Sequence, residues 1–352
     1  MNDCQRFDPY AVLNLSAWAK ENTVPLELTF EITPFCNFDC VMCYVKLNKE
    51  QAAKQGEILP SGKWLDIARQ AKEMGTLYIC ITGGEIFLYP EFWELYSQLN
   101  KMGFLISLLS NGSMIDEGVM EKFREYGMPY MVKITLYGAS DEAYLRTCGV
   151  KDGFSRVTKA IDLLKAAGVP CRLTSTIVKE NAADLQKIYK FATNKKIPLQ
   201  HTVSVLKSSR GSQKDIASSR FDFSDFSDEF TLESLERLKC PDTESPFAWC
   251  GSYKKSMWIT WNGNVQMCSF VTQPSVKFSG DLKSDWFLLN EKCKGIKNPP
   301  ECDKCDWKSF CQKCPGALCA ESGDAEKISP DFCRTAEKLF NIYNAMKESE
   351  TV

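Results

Sequence analysis

Residues 25–45 read PLELTFEITPFCNFDCVMCYV, an apolar and β-branched run followed at once by Cys36, Cys40 and Cys43. The run predicts a buried strand over Pro25–Thr33, with the three thiols in the loop at its carboxyl end. Three thiolates in one tight C-x3-C-x2-C loop suit a four-iron cluster in which one iron has no protein ligand. An iron with an open position can bind and reduce a second molecule. A zinc loop would require a fourth ligand at zinc spacing, and none follows.

Five more segments of the same kind follow: TLYICIT, FLISLLS, YMVKITLY, CRLTSTIV and LQHTVSVL, the last ending at Leu206. Between consecutive strands lie amphipathic or polar stretches of helical length, such as SGKWLDIARQAKEMG and FSRVTKAIDLLKAAG, several closed by a glycine where a C-terminal cap belongs. A sixfold βα alternation requires parallel strands with right-handed crossovers. The fold class is therefore α/β, either an open doubly wound sheet or a partial (β/α)6 TIM-like barrel. In both, the site lies at the carboxyl ends of the strands, where the three-cysteine loop falls.

The 352 residues suffice for one large α/β domain and a smaller one, and 44% apolar content fills a sizeable core. With 43 basic and 45 acidic residues the charge nearly cancels, and no basic block with interleaved aromatics marks a nucleic-acid surface. Neither a signal-peptide pattern nor an apolar run of membrane length is present, so a cytoplasmic enzyme without membrane contact is expected. The chain has 17 cysteines, but without an export signal they are not read as a disulfide scaffold. His201 is the single histidine, which leaves thiolates as the metal ligands of choice.

Residues 207–239 are rich in Ser, Asp and Lys and read as a linker with a bridging helix. From Cys240 to Cys333 the chain carries ten cysteines and only short apolar runs, as expected of a segment stapled by metal rather than by a core. A last amphipathic helix, Asp331 to Lys347, is expected to pack back on the barrel. A zinc knuckle at Cys302, Cys305, Cys311 and Cys314 would have five residues between its pairs, far fewer than the roughly 15–20 of zinc ribbons.

The cysteine loop, with ITGGEIF at the end of the second strand, resembles the radical S-adenosylmethionine superfamily, and the resemblance covers almost the whole chain. It implies that Cys36, Cys40 and Cys43 hold a [4Fe-4S] cluster whose open iron is chelated by S-adenosylmethionine. It further implies cofactor contacts from Tyr44, Gly83, Gly84 and Glu85, from Ser110 and Asn111 after the third strand, and from Thr135 and Tyr137 after the fourth. Arg172, Thr174, Thr176 and Asn181 are offered by the fifth. Ile86 stands where the family's proline follows the Gly-Gly-Glu.

The carboxyl-terminal cysteines resemble the SPASM extension of that superfamily, which binds two auxiliary [4Fe-4S] clusters. By this resemblance Cys302, Cys305, Cys311 and Cys333 complete one set. Cys250, Cys268 and Cys314, with Gly263 in the motif, give three ligands to the other, and Cys319, Cys293 or an outside group supplies the fourth. The domain reading is 1–24 amino-terminal extension, 25–206 partial barrel, 207–239 linker and bridging helix, and 240–352 auxiliary-cluster domain with carboxyl-terminal helix.

The resemblance implies an enzyme that modifies a peptide, first by thioether or other side-chain crosslinking. Epimerisation or side-chain dehydrogenation comes second, and a plain iron–sulfur electron carrier is the rival from another class. An external one-electron reductant of flavodoxin or ferredoxin type is implied as partner. Some 25 residues before the first strand are too few for a leader-recognition domain, which leaves a separate recognition protein, direct edge-strand capture or a non-peptide substrate as the alternatives. Cys80, Cys148 and Cys171 read as small buried apolar residues. Cys148, placed in the loop after the fourth strand, is the candidate catalytic hydrogen-atom donor.

Overall fold

The computed structural model describes residues 9–207, 210–212, 214–220, 231–240, 245–247, 250–311 and 313–350. The amino-terminal eight residues and most of the acidic end of the expected linker, 221–230, lie outside them.

All six expected strands form, and they form in parallel. They are β1 (Glu27–Glu31), β2 (Tyr78–Thr82), β3 (Leu105–Ser110), β4 (Met131–Thr135), β5 (Cys171–Thr176) and β6 (Leu199–Thr202). They stand side by side in chain order, as right-handed βα units require. Ahead of β1 runs α1 (Pro9–Glu21), and α2 (Lys49–Ala53) follows the cysteine loop. The crossovers carry α3 (Ser61–Glu73), α4 (Phe92–Lys101), α5 (Glu117–Tyr126), α6 (Asp141–Cys148), α7 (Gly153–Ala166) and α8 (Leu185–Lys195).

Each crossover helix lays an apolar stripe on the sheet. In α3, Trp64, Ile67, Ala68 and Ala71 are buried, and the Trp64 ring lies 4.7 Å from Phe30 of β1. Asp116 caps α5 by accepting from Val119 N at 2.9 Å, and Ser140 caps α6 by accepting from Ala143 N at 3.2 Å.

Beyond β6 the cysteine-rich segment contributes strands of its own. After α9 (Leu232–Leu238) come β7 (Ser256–Ile259), β8 (Asn264–Gln266) and β9 (Val276–Lys277), and the full order is β6-β5-β4-β3-β2-β1-β7-β8-β9. The strand β7 pairs in parallel with β1, so the carboxyl-terminal segment extends the barrel sheet itself. A short SMWI run gave too little periodicity to announce this.

A buried ion pair locks the junction. Arg210 lies 3.0 Å from Glu31 at the end of β1, both almost wholly enclosed. Trp258 donates to the same carboxylate at 3.0 Å, and Arg210 also donates to Gln266 at 3.0 Å. Burial pushes the Glu31 carboxyl up, and the Arg210 charge and Trp258 N–H oppose that push.

The segment ends with α10 (Leu282–Lys294), α11 (Pro315–Ser322) and α12 (Pro330–Glu350). The expected final helix therefore forms. Its main packing is against α9 and the turn at 308–310, through Leu235, Phe310, Ala336, Leu339 and Tyr343, rather than on the barrel helices. Among the described residues no helix is long and apolar enough to cross a membrane.

Candidate active site

The carboxyl ends of the six parallel strands open on one cavity of about 530 Å³. Cys36, Cys40 and Cys43 line it from the loop after β1, and Tyr44 continues that wall. Thr82, Gly83 and Gly84 enter from β2, Ser110 and Asn111 from β3, and Thr135 and Tyr137 from β4. Thr174 and Thr176 enter from β5, and Thr202 and Ser204 from β6.

The cysteine loop is held by backbone and by two lysines. Asp39 N and Val41 N each donate at 2.9 Å to the carbonyls of Cys148 and Thr147, the free end of α6. Lys214 donates to the carbonyls of Asp39 and Cys40 at 2.9 Å each, and Lys46 donates to that of Phe38 at 2.8 Å. N–H groups already point at sulfur: Phe38 N lies 3.4 Å from Cys36 Sγ and Lys46 N 3.3 Å from Cys43 Sγ.

Burial pushes the Cys36 thiol up to about 12 and raises that of Cys43. Cys40 goes the other way, lowered first by a hydrogen bond from Cys148, with Tyr137 and Lys214 adding to it. A site that resists bare thiolates yet offers N–H donors to sulfur is one that metal binding must deprotonate. Among the described residues no three His, Cys, Asp or Glu groups converge tightly enough for a single metal ion. A four-iron cube takes its cysteines from farther apart, and three thiols facing one cavity fit a cube with its open iron toward that cavity.

The Gly-Gly of the second strand answers a packing demand. A Cβ on Gly83 would lie 2.4 Å from the Thr33 carbonyl oxygen, and one on Gly84 only 2.2 Å from that of Phe35. Gly84 N and Glu85 N donate to those same carbonyls at 2.8 Å, tying the second strand to the root of the cysteine loop.

Glu85 is fully buried and does not itself line the cavity. Its carboxylate accepts from Ser110 Oγ at 2.9 and 3.0 Å and from Asn111 N at 2.9 Å, so it fixes the two β3 residues that do. Asn111 in turn donates to Asn37 at 2.9 Å, inside the cysteine loop.

Burial pushes the Glu85 carboxyl up to about 7 against those hydrogen bonds. The folded protein thus holds this proton more tightly than the unfolded chain. The stability it confers is full below about pH 4 and is lost as pH rises through about 7. Glu85→Gln removes that dependence. Between about pH 4 and pH 8 the stability of the variant relative to the parent should rise by up to about 3 kcal/mol, read by urea denaturation of the metal-free chain. A pH-independent difference would contradict the raised carboxyl.

Three expected residues fall elsewhere. Arg172 is exposed near the amino end of β5, far along the strand from the mouth. Asn181 is buried and donates at 3.0 Å to the carbonyls of Tyr137 and Thr176, bracing two strand ends rather than lining the cavity. Cys148 is not in a loop: it is the last residue of α6, fully buried behind Cys40 and outside the cavity wall.

The structure also adds residues. Phe270 stands 4.6 Å from the Tyr44 ring and closes the cavity from the carboxyl-terminal segment. Lys214, from the expected linker, has no sequence signal that would have marked it.

In the carboxyl-terminal segment Cys302, Cys305, Cys311 and Cys333 surround a second, smaller cavity. Cys268 lies within charge-interaction range of Cys250 and Cys314, and Cys314 within range of Cys250.

Residues 30–192, just under half of the chain, match the family model of the Radical SAM superfamily. A PqqA peptide cyclase of Gluconobacter oxydans is 26% identical over 168 residues, covering 48% of this chain and 46% of the cyclase. The antilisterial bacteriocin subtilosin biosynthesis protein AlbA of Bacillus subtilis is 28% identical over 163 residues, 46% of this chain and 36% of AlbA. The matched stretch thus spans less than half of either relative. The fold is also that of Streptococcus suis SuiB bound to S-adenosylmethionine, with a TM-score of 0.66 at 18% identity over 92% of this chain and 81% of SuiB. SuiB bound to its precursor peptide SuiA gives a TM-score of 0.65 at 18% identity, covering 95% of this chain and 83% of that one.

Proposed function

We propose that this protein is a cytoplasmic radical S-adenosylmethionine enzyme that crosslinks side chains of a ribosomally made peptide. The observation that carries the reading is the single cavity in which the three thiols of the cysteine loop face the mouth of every barrel strand. Its volume, about 530 Å³, is in the range of small-molecule sites and leaves room for a substrate side chain beside a cofactor.

Cys36, Cys40 and Cys43 would hold a four-iron cluster there, which would supply the electron for reductive cleavage of S-adenosylmethionine. The chain's own residues orient the cofactor and shield the cavity from water. Gly83 and Gly84 bring backbone close, Ser110 and Asn111 are held by Glu85, and Thr135, Thr174 and Thr176 supply hydroxyls. Tyr44 and Phe270 form an apolar lid that protects a reactive radical.

The peptide class rests on the relatives: one is named a peptide cyclase, another a bacteriocin subtilosin biosynthesis protein, and SuiB is seen with a precursor peptide. The carboxyl-terminal cysteines are read as a SPASM domain with two auxiliary [4Fe-4S] clusters, and an external flavodoxin or ferredoxin supplies the electron. The edge of β6, without a partner strand among the described residues, exposed at Gln200–Thr202 and running into cavity residues Thr202 and Ser204, offers a strand-pairing entry for a peptide with or without a separate leader-recognition protein.

Anaerobic co-expression with short open reading frames beside the gene, read by mass spectrometry, tests the reading. A peptide two hydrogens lighter, formed together with 5′-deoxyadenosine, is expected. An unchanged mass with deuterium gained in heavy water would replace crosslinking by epimerisation, and absence of 5′-deoxyadenosine under reducing conditions would remove the enzyme reading.

A further inference from the structure

The set Cys250, Cys268 and Cys314 has three members, and the fold brings a fourth thiol to it. Cys293 occupies the last turn of α10, which packs across β8 and β9. Cys268 follows two residues after the end of β8, on which that helix packs. Cys293 is fully buried, and Cys250 and Cys268 pack against the core of which it is part. It lies within charge-interaction range of both.

The neighbours close around these sulfurs. Tyr253, stacked on Phe247 at 4.3 Å, lies within range of Cys293 and Cys250. Cys314 caps the start of α11, where its sulfur accepts from Ala317 N at 3.4 Å. The next turn presses so close that a Cβ on Gly316 would lie 3.2 Å from Cys268 Sγ.

Cys319, the other candidate in sequence, has its sulfur engaged elsewhere. Its sulfur lies 3.2 Å from Thr272 Oγ1 and 3.9 Å from the Gln273 carbonyl, so its hydrogen bonds go to the 272–273 loop.

We propose that Cys293 is the fourth protein ligand of the auxiliary centre at Cys250, Cys268 and Cys314, which is thereby closed. The inference rests on reading these cysteines as an iron–sulfur site. It has a consequence for the chemistry: a closed centre has no iron free to hold a substrate sulfur, so bond formation takes place in the barrel cavity and the auxiliary centre exchanges electrons alone.

The test uses the full chain with Cys36, Cys40 and Cys43 changed to Ala, which removes the one centre with an open iron by design. Loaded anaerobically with iron and sulfide, this parent should hold about eight irons and give no three-iron electron paramagnetic resonance signal after mild ferricyanide oxidation. Adding Cys293→Ala should produce that signal with loss of about one iron, and a small added thiol should then shift the spectrum of the reduced centre. Cys293→Ser should restore resistance in part, and Cys319→Ala should behave as the parent.

A three-iron signal already present in the parent would overturn the proposal without reliance on any Cys293 variant. So would Cys319→Ala producing the signal, or Cys293→Ala matching the parent. A parent that binds zinc or no iron would overturn the iron–sulfur reading itself, and the fourth ligand with it.

Discussion

Changing Cys36, Cys40 or Cys43 to Ala should abolish the proposed reductive cleavage of S-adenosylmethionine, with 5′-deoxyadenosine falling to the reagent background. Two thiolates cannot hold a four-iron cube that already has one iron without a protein ligand, so the loss is of the whole centre rather than of part of its reactivity. Iron analysis gives the same answer independently of turnover: about twelve irons per loaded chain should drop to about eight. The fold should survive, because the loop is fixed by Lys46, Lys214 and the end of α6 through backbone atoms that the substitutions leave in place. A variant that keeps its full iron and still cleaves the cofactor would remove these cysteines from the mechanism.

Changing Cys302 or Cys333 to Ala should separate the two halves of the reaction. These residues ring a cavity of their own, bounded by Phe332 and Ala336 of α12, and share no lining residue with the barrel cavity. Cofactor cleavage should stay within about tenfold of the parent while crosslinked peptide disappears, since forming a bond from a substrate radical leaves one electron that must go elsewhere. Product and 5′-deoxyadenosine measured in one reaction decide the matter. Equal loss of both in a variant whose first centre is fully loaded would argue against separate roles.

The six parallel strands were legible because their signal is local. β-branched runs such as TLYICIT and CRLTSTIV, each followed by an amphipathic stretch of helical length, admit little but a βα repeat, and they appear as β2 and β5 within two residues of the expected ends. What went unread was short or non-local. SMWI and NVQ are too brief to show a period, yet β7 completes the sheet because it finds the open edge of β1. The helix DEAYLRTC, capped by Ser140, is too short to show a period in sequence, and it places Cys148 at a helix end rather than in a loop.

Chemistry divides the same way. Sequence by itself determined the parallel α/β fold, the cysteine loop at the end of its first strand and the pool of carboxyl-terminal thiols, because hydrophobic period and ligand spacing are properties of neighbouring residues. Tertiary structure alone decided that Glu85 holds Ser110 and Asn111 rather than facing the cavity, that Phe270 covers Tyr44, and that the sulfur of Cys319 is engaged by Thr272. Each of these depends on which face of one element meets another far away in the chain, and packing of buried surfaces sets that, not spacing along the sequence.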